Sequence, residues 1–129
     1  MAEILLDSDV IIAWLRGYDP FAELIPKLLE DGNALVWTPV SVAEIFAGAR
    51  KGEEGQLENL FLVLEALSLV PDIGRKAGAY LNAYSRSHGV ELGDALIAAT
   101  AHFTKIPLWT LNKKHYPMND LRFFSPFAS

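Results

Sequence analysis

Cysteine is absent from all 129 residues, which excludes disulfides, thiol nucleophiles and cysteine-ligated zinc and leaves carboxylates, imidazoles and amides as ligands. Hard, oxygen-seeking cations match that inventory best. Long apolar runs are missing too: Ile4-Leu5-Leu6 and Ala34-Leu35-Val36-Trp37 fall far short of the roughly 20 residues a membrane-crossing helix needs. The first residues hold no basic region followed by an extended apolar stretch, so no signal peptide is read there. A soluble protein with a cytoplasmic address and no membrane contact is expected. An excess of basic charge is also lacking. The formal net charge of −5 argues against a broad nucleic-acid platform, because such surfaces displace counterions from phosphates, so any such contact has to be local.

What is present describes a globular chain. Hydrophobic residues make up 51% and charged residues 21%, a balance that supports a buried core over disorder. The length fits one domain spanning residues 1–129, with no repeat and no linker. Ile4 to Leu6 reads as a strand buried on both faces and ends at Asp7. Apolar residues at Ile11, Ile12 and Leu15 then have helical spacing, stopped at Gly17. A second helix runs from Pro20 through Leu29 to a stop before Gly32, with Pro26 an interruption inside it.

Ala34 to Trp37 is the second strand, followed by a helix from Ser41 through Ala49. Glu53 to Leu67 reads as a further helix and Leu69-Val70 as a third strand ended by Pro71. Helices over Ile73 to His88 and Asp94 to Phe103 flank Gly89, the latter alanine-rich and expected in the core. Pro107 to Thr110 makes a fourth strand, and Leu121 to Phe124 an edge strand that Pro126 keeps short. Short apolar strands alternating with helices predict an α/β fold: three α/β/α layers around a mostly parallel sheet of four to five strands.

In such sheets ligands bind beyond the carboxyl ends of the strands, near the point where strand order reverses. Four segments deliver oxygen donors there: Asp7 and Asp9 after strand one, Glu44 after strand two, Asp94 before strand four, and Asn112 after it. Each has a purely structural reading as well. Asp9 or Ser8 caps the first helix, Ser41-Val42-Ala43-Glu44 matches a capping box, Asp94 complements a helix start, and Asn112 shapes a turn. The combination is harder to explain that way. Two like charges about 4 Å apart at an effective dielectric near 20 repel by roughly 4 kcal/mol, more than a cap returns. The acids are therefore farther apart, partly protonated, or neutralised by a divalent cation.

The third option carries chemistry. Oxygen donors and water suit Mg²⁺ or Mn²⁺, one or two ions, which activate water for attack on a phosphodiester. No Ser-His-Asp ordering, Walker loop or glycine-rich nucleotide fingerprint competes for the role.

At this point the residues resemble a known family. Ile4-Leu5-Leu6-Asp7-Ser8-Asp9 is similar to the opening of PIN domains, Ser41-Val42-Ala43-Glu44-Ile45 to their second motif, and Gly93-Asp94-Ala95-Leu96-Ile97-Ala98-Ala99-Thr100 to their third. Thr110-Leu111-Asn112-Lys113-Lys114-His115 resembles the fourth, with His115 where the family often has Asp. The resemblance, nearest to VapC-type toxins of VapBC toxin–antitoxin pairs, spans nearly the whole chain. It implies a metal-dependent endoribonuclease, usually a homodimer, held in check by a VapB-type antitoxin. It also implies that Asp7 and Asp94 ligate the metal, and that Glu44 and Asn112 do so directly or through water. Asp9 and His115 are additional candidates.

RNA or antitoxin contact is expected from Arg16, Arg50, Lys51, Lys113 and Lys114, and from the aromatic side chains Trp14 and Phe46. Trp109 and Tyr116 could likewise stack on bases or line an antitoxin groove, but all four aromatic residues are read mainly as core or dimer contacts. Three rival readings stand beside the nuclease. One is a haloacid-dehalogenase-type phosphatase with Asp7 as nucleophile, and another a receiver domain phosphorylated on Asp72. The last is a PIN-like scaffold that binds RNA or a partner without cutting.

Overall fold

Along β1 (Glu3–Leu6) and β2 (Ala34–Trp37) the side chains alternate between two cores. Leu5 and Val36 belong to one hydrophobic cluster, while Ile4, Leu6, Leu35 and Trp37 belong to another. An unbroken apolar run is what a strand covered on both faces requires. The computed structural model describes residues 2–126. Within it the order continues from β1 through α1 (Ser8–Leu15) and α2 (Phe21–Glu30) to β2, then α3 (Pro39–Ala47), α4 (Glu54–Val63) and β3 (Glu65–Ala66). After these come α5 (Pro71–His88), α6 (Leu92–Thr104), β4 (Leu108–Trp109) and a 3₁₀ turn at Lys113–His115.

Among the described residues the sheet has four strands in the order β3-β2-β1-β4, every pair parallel. Helices α5 and α6 supply Ile73, Ala77, Tyr80, Ala95, Ala98 and Ala99 to the first core. Helices α1 to α4 supply Val10, Ile11, Phe21, Ile25, Ile45, Leu57 and Leu60 to the second. The result is the expected three-layer α/β/α arrangement, with alanines letting α6 approach the sheet. No helix of the described residues is long and apolar enough to cross a membrane.

The chain continues from β2 to β3 on one side of β1 and returns to β4 on the other. The carboxyl end of β1 is therefore the switch point, where a crevice opens. Asp7 N–H donates to Trp109 O at 2.9 Å, which sets the residues just past β1 beside those just past β4.

Several boundaries differ from expectation. Helix α3 starts at Pro39, not Ser41, because the Thr38 hydroxyl accepts from the N–H groups of Val40 and Ser41 and Pro39 fills the first turn. The Ser41–Glu44 capping box is therefore not formed. Helix α4 ends at Val63, and the third strand is Glu65–Ala66 instead of Leu69-Val70. Pairing with β2, continued by Leu67 N–H on Trp37 O at 2.9 Å, takes those residues away from the helix. Pro71 then begins α5 rather than merely ending a strand.

Helix α2 passes through Pro26 unbroken; Pro26 and Ala22, whose carbonyl it leaves without a donor, are both exposed. Helix α6 begins two residues before Asp94, at Leu92. The expected edge strand at Leu121 to Phe124 reduces to one parallel bridge between Leu108 and Phe123.

Candidate active site

Asp7 is the first residue beyond β1 and the N-cap of α1, its Oδ1 accepting from Ser8 N–H at 2.8 Å. Capping therefore falls to Asp7 and not to Ser8 or Asp9. Its Oδ2 accepts two hydroxyls at 2.8 Å each, from Thr110 just past β4 and from Tyr116. Thr110 is a hub: it also lies 3.4 Å from Asp9 Oδ2 and accepts from Asn112 N–H at 3.1 Å. Asp9 Oδ2 takes Leu111 N–H at 3.1 Å as well. The segment after β4 is thus tied to both aspartates after β1.

Glu44 lies one turn and a half into α3, released from capping by Thr38. Its Oε1 accepts the Ser8 hydroxyl at 2.6 Å, and Ser8 in turn lies 2.9 Å from the fully buried Ser41 hydroxyl. A Cβ placed on Gly93 would come to 3.4 Å from Glu44 Oε2, so the start of α6 and the Glu44 carboxylate are neighbours. Asp94 completes a capping box with Glu91, its Oδ2 accepting Glu91 N–H at 3.3 Å. The helix-start reading of Asp94 is correct, and it does not remove Asp94 from the cavity.

Asp7, Ser8, Asp9, Ile12, Glu44, Glu91, Gly93, Asp94, Asn112 and His115 together line one cavity of about 430 Å³. The predicted convergence is present, with Glu91 as an acid the sequence reading missed. Asn112 Nδ2 lies 3.1 Å from His115 Nε2, and His115 Nδ1 lies 3.8 Å from Asp94 Oδ1.

Burial, and then the neighbouring Asp7 charge, push the Asp9 carboxyl from its ordinary 3.8 up to about 6, against the opposing N–H groups of Leu111 and Val10. Burial also raises Asp94, with Asp7 and Glu91 adding to it. Tyr116 is raised by burial and by the Asp7 charge. One oxygen, Asp9 Oδ1, is buried with no hydrogen-bond partner among the described residues.

These features bear on whether a divalent cation fits. A crowded oxygen set and a buried carboxylate oxygen without a partner are donors of the kind a hard divalent cation takes. Among the described residues, however, no three acid or imidazole groups already meet at one coordination point. The cavity therefore suits an ion that keeps part of its water shell, as Mg²⁺ does, better than a closed protein cage.

The expected contact residues are placed differently. None of Arg16, Arg50, Lys51, Lys113 and Lys114 lines the cavity. Arg16 is committed to Glu53 at 3.5 Å and to Gly48 O at the end of α3. Lys113 and Lys114 sit on the 3₁₀ turn beside Asn112, with Lys113 Nζ 5.3 Å from the Phe123 ring centre. Trp14 lines a separate groove of about 200 Å³ with Leu15, Leu60 and Val63. Phe46 is exposed and 5.9 Å from the Phe61 ring. Trp109 is core, as read, whereas Tyr116 is both core and hydrogen-bonded to the site. Thr110 and Tyr116 went unrecognised as site residues. Thr110 had a signal, since it follows β4 as Asp7 follows β1; Tyr116 had none.

Residues 4–120 match the PIN domain family model. Ribonuclease VapC10 of Mycobacterium tuberculosis is 39% identical over 126 residues, covering 97% of this chain and 93% of the relative. A solved structure of VapBC-1 from nontypeable Haemophilus influenzae superposes with a TM-score of 0.77 at 21% identity, covering 95% of this chain and 97% of that one. A toxin-antitoxin complex from Klebsiella pneumoniae gives 0.69 at 21% identity, covering 96% and 98%. With its four motifs gathered at the rim of a parallel sheet, this chain belongs to the PIN-domain family and is of the VapC type.

Proposed function

We propose that this chain is a metal-dependent endoribonuclease, the toxin of a type II toxin–antitoxin module acting in the cytoplasm. The observation that carries the reading is the meeting of Asp7, Asp9, Glu44, Asp94 and Asn112 in one cavity at the carboxyl ends of β1, β2 and β4. Asp7, Asp9 and Asp94 would hold one or two Mg²⁺ or Mn²⁺ ions, with Glu44 and Asn112 contributing directly or through water. Such an ion supplies Lewis acidity to the phosphodiester and a hydrolytic water at neutral pH. Thr110 keeps Asp7 and Asp9 side by side, and Ser8 steadies Glu44. His115 and Asn112 line the same cavity and would meet the RNA backbone.

Membership of the family sets aside the phosphatase and receiver readings. Asp7 also has little freedom to act as a nucleophile, with three donors on its two oxygens. Asp72 lies in the first turn of α5, exposed and paired with Arg75. Lys113 and Lys114 lie in the chain between the cavity residues Asn112 and His115 and are assigned to RNA together with Arg50 and Lys51. The groove lined by Trp14, Leu15, Leu60 and Val63 together with Gln56 and Asn59 is assigned to the antitoxin, as is the separate exposed pair Phe46 and Phe61, and the toxin itself to a homodimer.

The test is cleavage of single-stranded and structured RNA with Mn²⁺ and with chelator. Cleavage that needs the ion and is abolished by Asp7→Asn and by Asp94→Asn, both still folded by circular dichroism, is the expected result. Full activity in either variant refutes the assignment. Mn²⁺ uptake with every RNA left intact would instead support the non-cutting scaffold.

A further inference from the structure

Tyr116 is 3% exposed and its ring packs in the core formed by α5, α6 and one face of the sheet. Packing accounts for the ring and not for the oxygen, because phenylalanine would fill the same space without a polar atom to bury. The oxygen is used in one way: it donates to Asp7 Oδ2 at 2.8 Å, across 109 positions of chain. The Thr110 hydroxyl donates to the same oxygen at the same distance.

A carboxylate oxygen offers about two lone pairs, so Oδ2 is fully taken, while Oδ1 receives only Ser8 N–H. Asp7 is left with one uncommitted lone pair, on Oδ1, and with its carboxylate plane fixed by donors from three parts of the chain. From this we infer that Tyr116 is a positioning residue: its hydroxyl, acting through Asp7, sets the affinity of the cavity for a divalent cation. The inference rests on the metal-dependent reading above.

The molecule carries its own control. Tyr80 is 4% exposed and donates to Asp120 Oδ1 at 2.7 Å. The bond is of the same type, with Lys76 and His102 as the other partners of Asp120. Neither Tyr80 nor Asp120 lines the carboxylate cavity.

Tyr116→Phe and Tyr80→Phe each remove one buried hydroxyl from one aspartate and keep the ring. Calorimetric titration of Mn²⁺ into the full-length wild type and both variants, with melting curves on the same samples, separates the two roles. Removing an outer-shell partner of a metal ligand weakens binding by about 10- to 100-fold, and that is the loss expected for Tyr116→Phe. Tyr80→Phe is expected to bind within about twofold of wild type while losing similar thermal stability. In RNA cleavage, Tyr116→Phe should raise the Mn²⁺ concentration for half-maximal activity by the same factor and leave KM for RNA unchanged.

Wild-type Mn²⁺ affinity in Tyr116→Phe, or an equal loss in Tyr80→Phe, overturns the positioning role while the metal reading stands. A wild type that takes up no Mn²⁺ overturns both.

Discussion

Replacing Asp9 by Asn should make the metal-free protein more stable at neutral pH while disabling its site. The Asp9 carboxyl is held at about 6, against an ordinary 3.8, by burial and by Asp7. Between those two values the native state keeps a proton that the unfolded chain has released, so native stability falls as pH rises through the window and stays lowered above it. In a dry site the shift would correspond to about 3 kcal/mol. Asp9 is only half-buried, and solvent screening reduces the penalty to about 1–2 kcal/mol. Asparagine does not titrate, and its amide oxygen can still accept from Leu111 N–H.

In chelator at about pH 7.5, Asp9→Asn should therefore melt about 3–8 °C above wild type. At about pH 4 most of that advantage should vanish, since native Asp9 is then protonated. Saturating Mn²⁺ should reverse the ranking at neutral pH, because an ion that binds only the native wild-type site stabilises it by mass action. Melting followed by circular dichroism at both pH values decides the matter. An Asn variant no more stable than wild type at neutral pH, or one with the same gain at both, refutes the electrostatic argument.

Other substitutions probe the scaffold around the cavity. Ser8→Ala frees Glu44 and strips the fully buried Ser41 hydroxyl of its partner, so urea unfolding should show a loss of about 1–3 kcal/mol. Thr38→Ala removes the cap of the helix that carries Glu44 and should cost about 1 kcal/mol in the same assay. Ala98, at 0% exposure against the sheet, leaves no room for growth. Ala98→Leu should lower stability by about 1–3 kcal/mol through overpacking, read as a shifted urea midpoint.

The layers of the fold were legible because unbroken apolar runs and helical spacing report burial directly. Ile4 to Leu6, Ala34 to Trp37 and the alanines of α6 needed no partner to be recognised. The failures occur where partners decide. Leu57, Leu60 and Leu64 keep helical spacing up to the end of α4, yet Glu65 and Ala66 pair with Val36 and Trp37, and nothing local distinguishes these two exposed residues from a further helical turn. The Ser41-to-Glu44 spacing satisfied a capping box equally well. The chain used Thr38 instead, because Pro39 already has the backbone angle of a first helical turn.

For the site, what the sequence displayed was the acids and their position at strand ends, since a carboxylate after an apolar strand stands out against its neighbours. What it concealed was the hydroxyl frame. Ser8, Thr110 and Tyr116 each look locally ordinary: a turn serine, a strand-end threonine, a core aromatic. Their roles arise only when β1 and β4 are set side by side, which brings Asp7 within reach of a hydroxyl 103 positions away and another 109 away. The frame matters for the chemistry as much as the acids do. Unsupported carboxylates at this density would separate or take up protons, whereas the hydroxyl and amide donors of Ser8, Thr110, Leu111 and Tyr116 fix where Asp7, Asp9 and Glu44 lie relative to one another. A substitution that spares every acid but removes this frame should therefore disarm the site, and the frame, more than the acids, is where structure adds to what the sequence spells out.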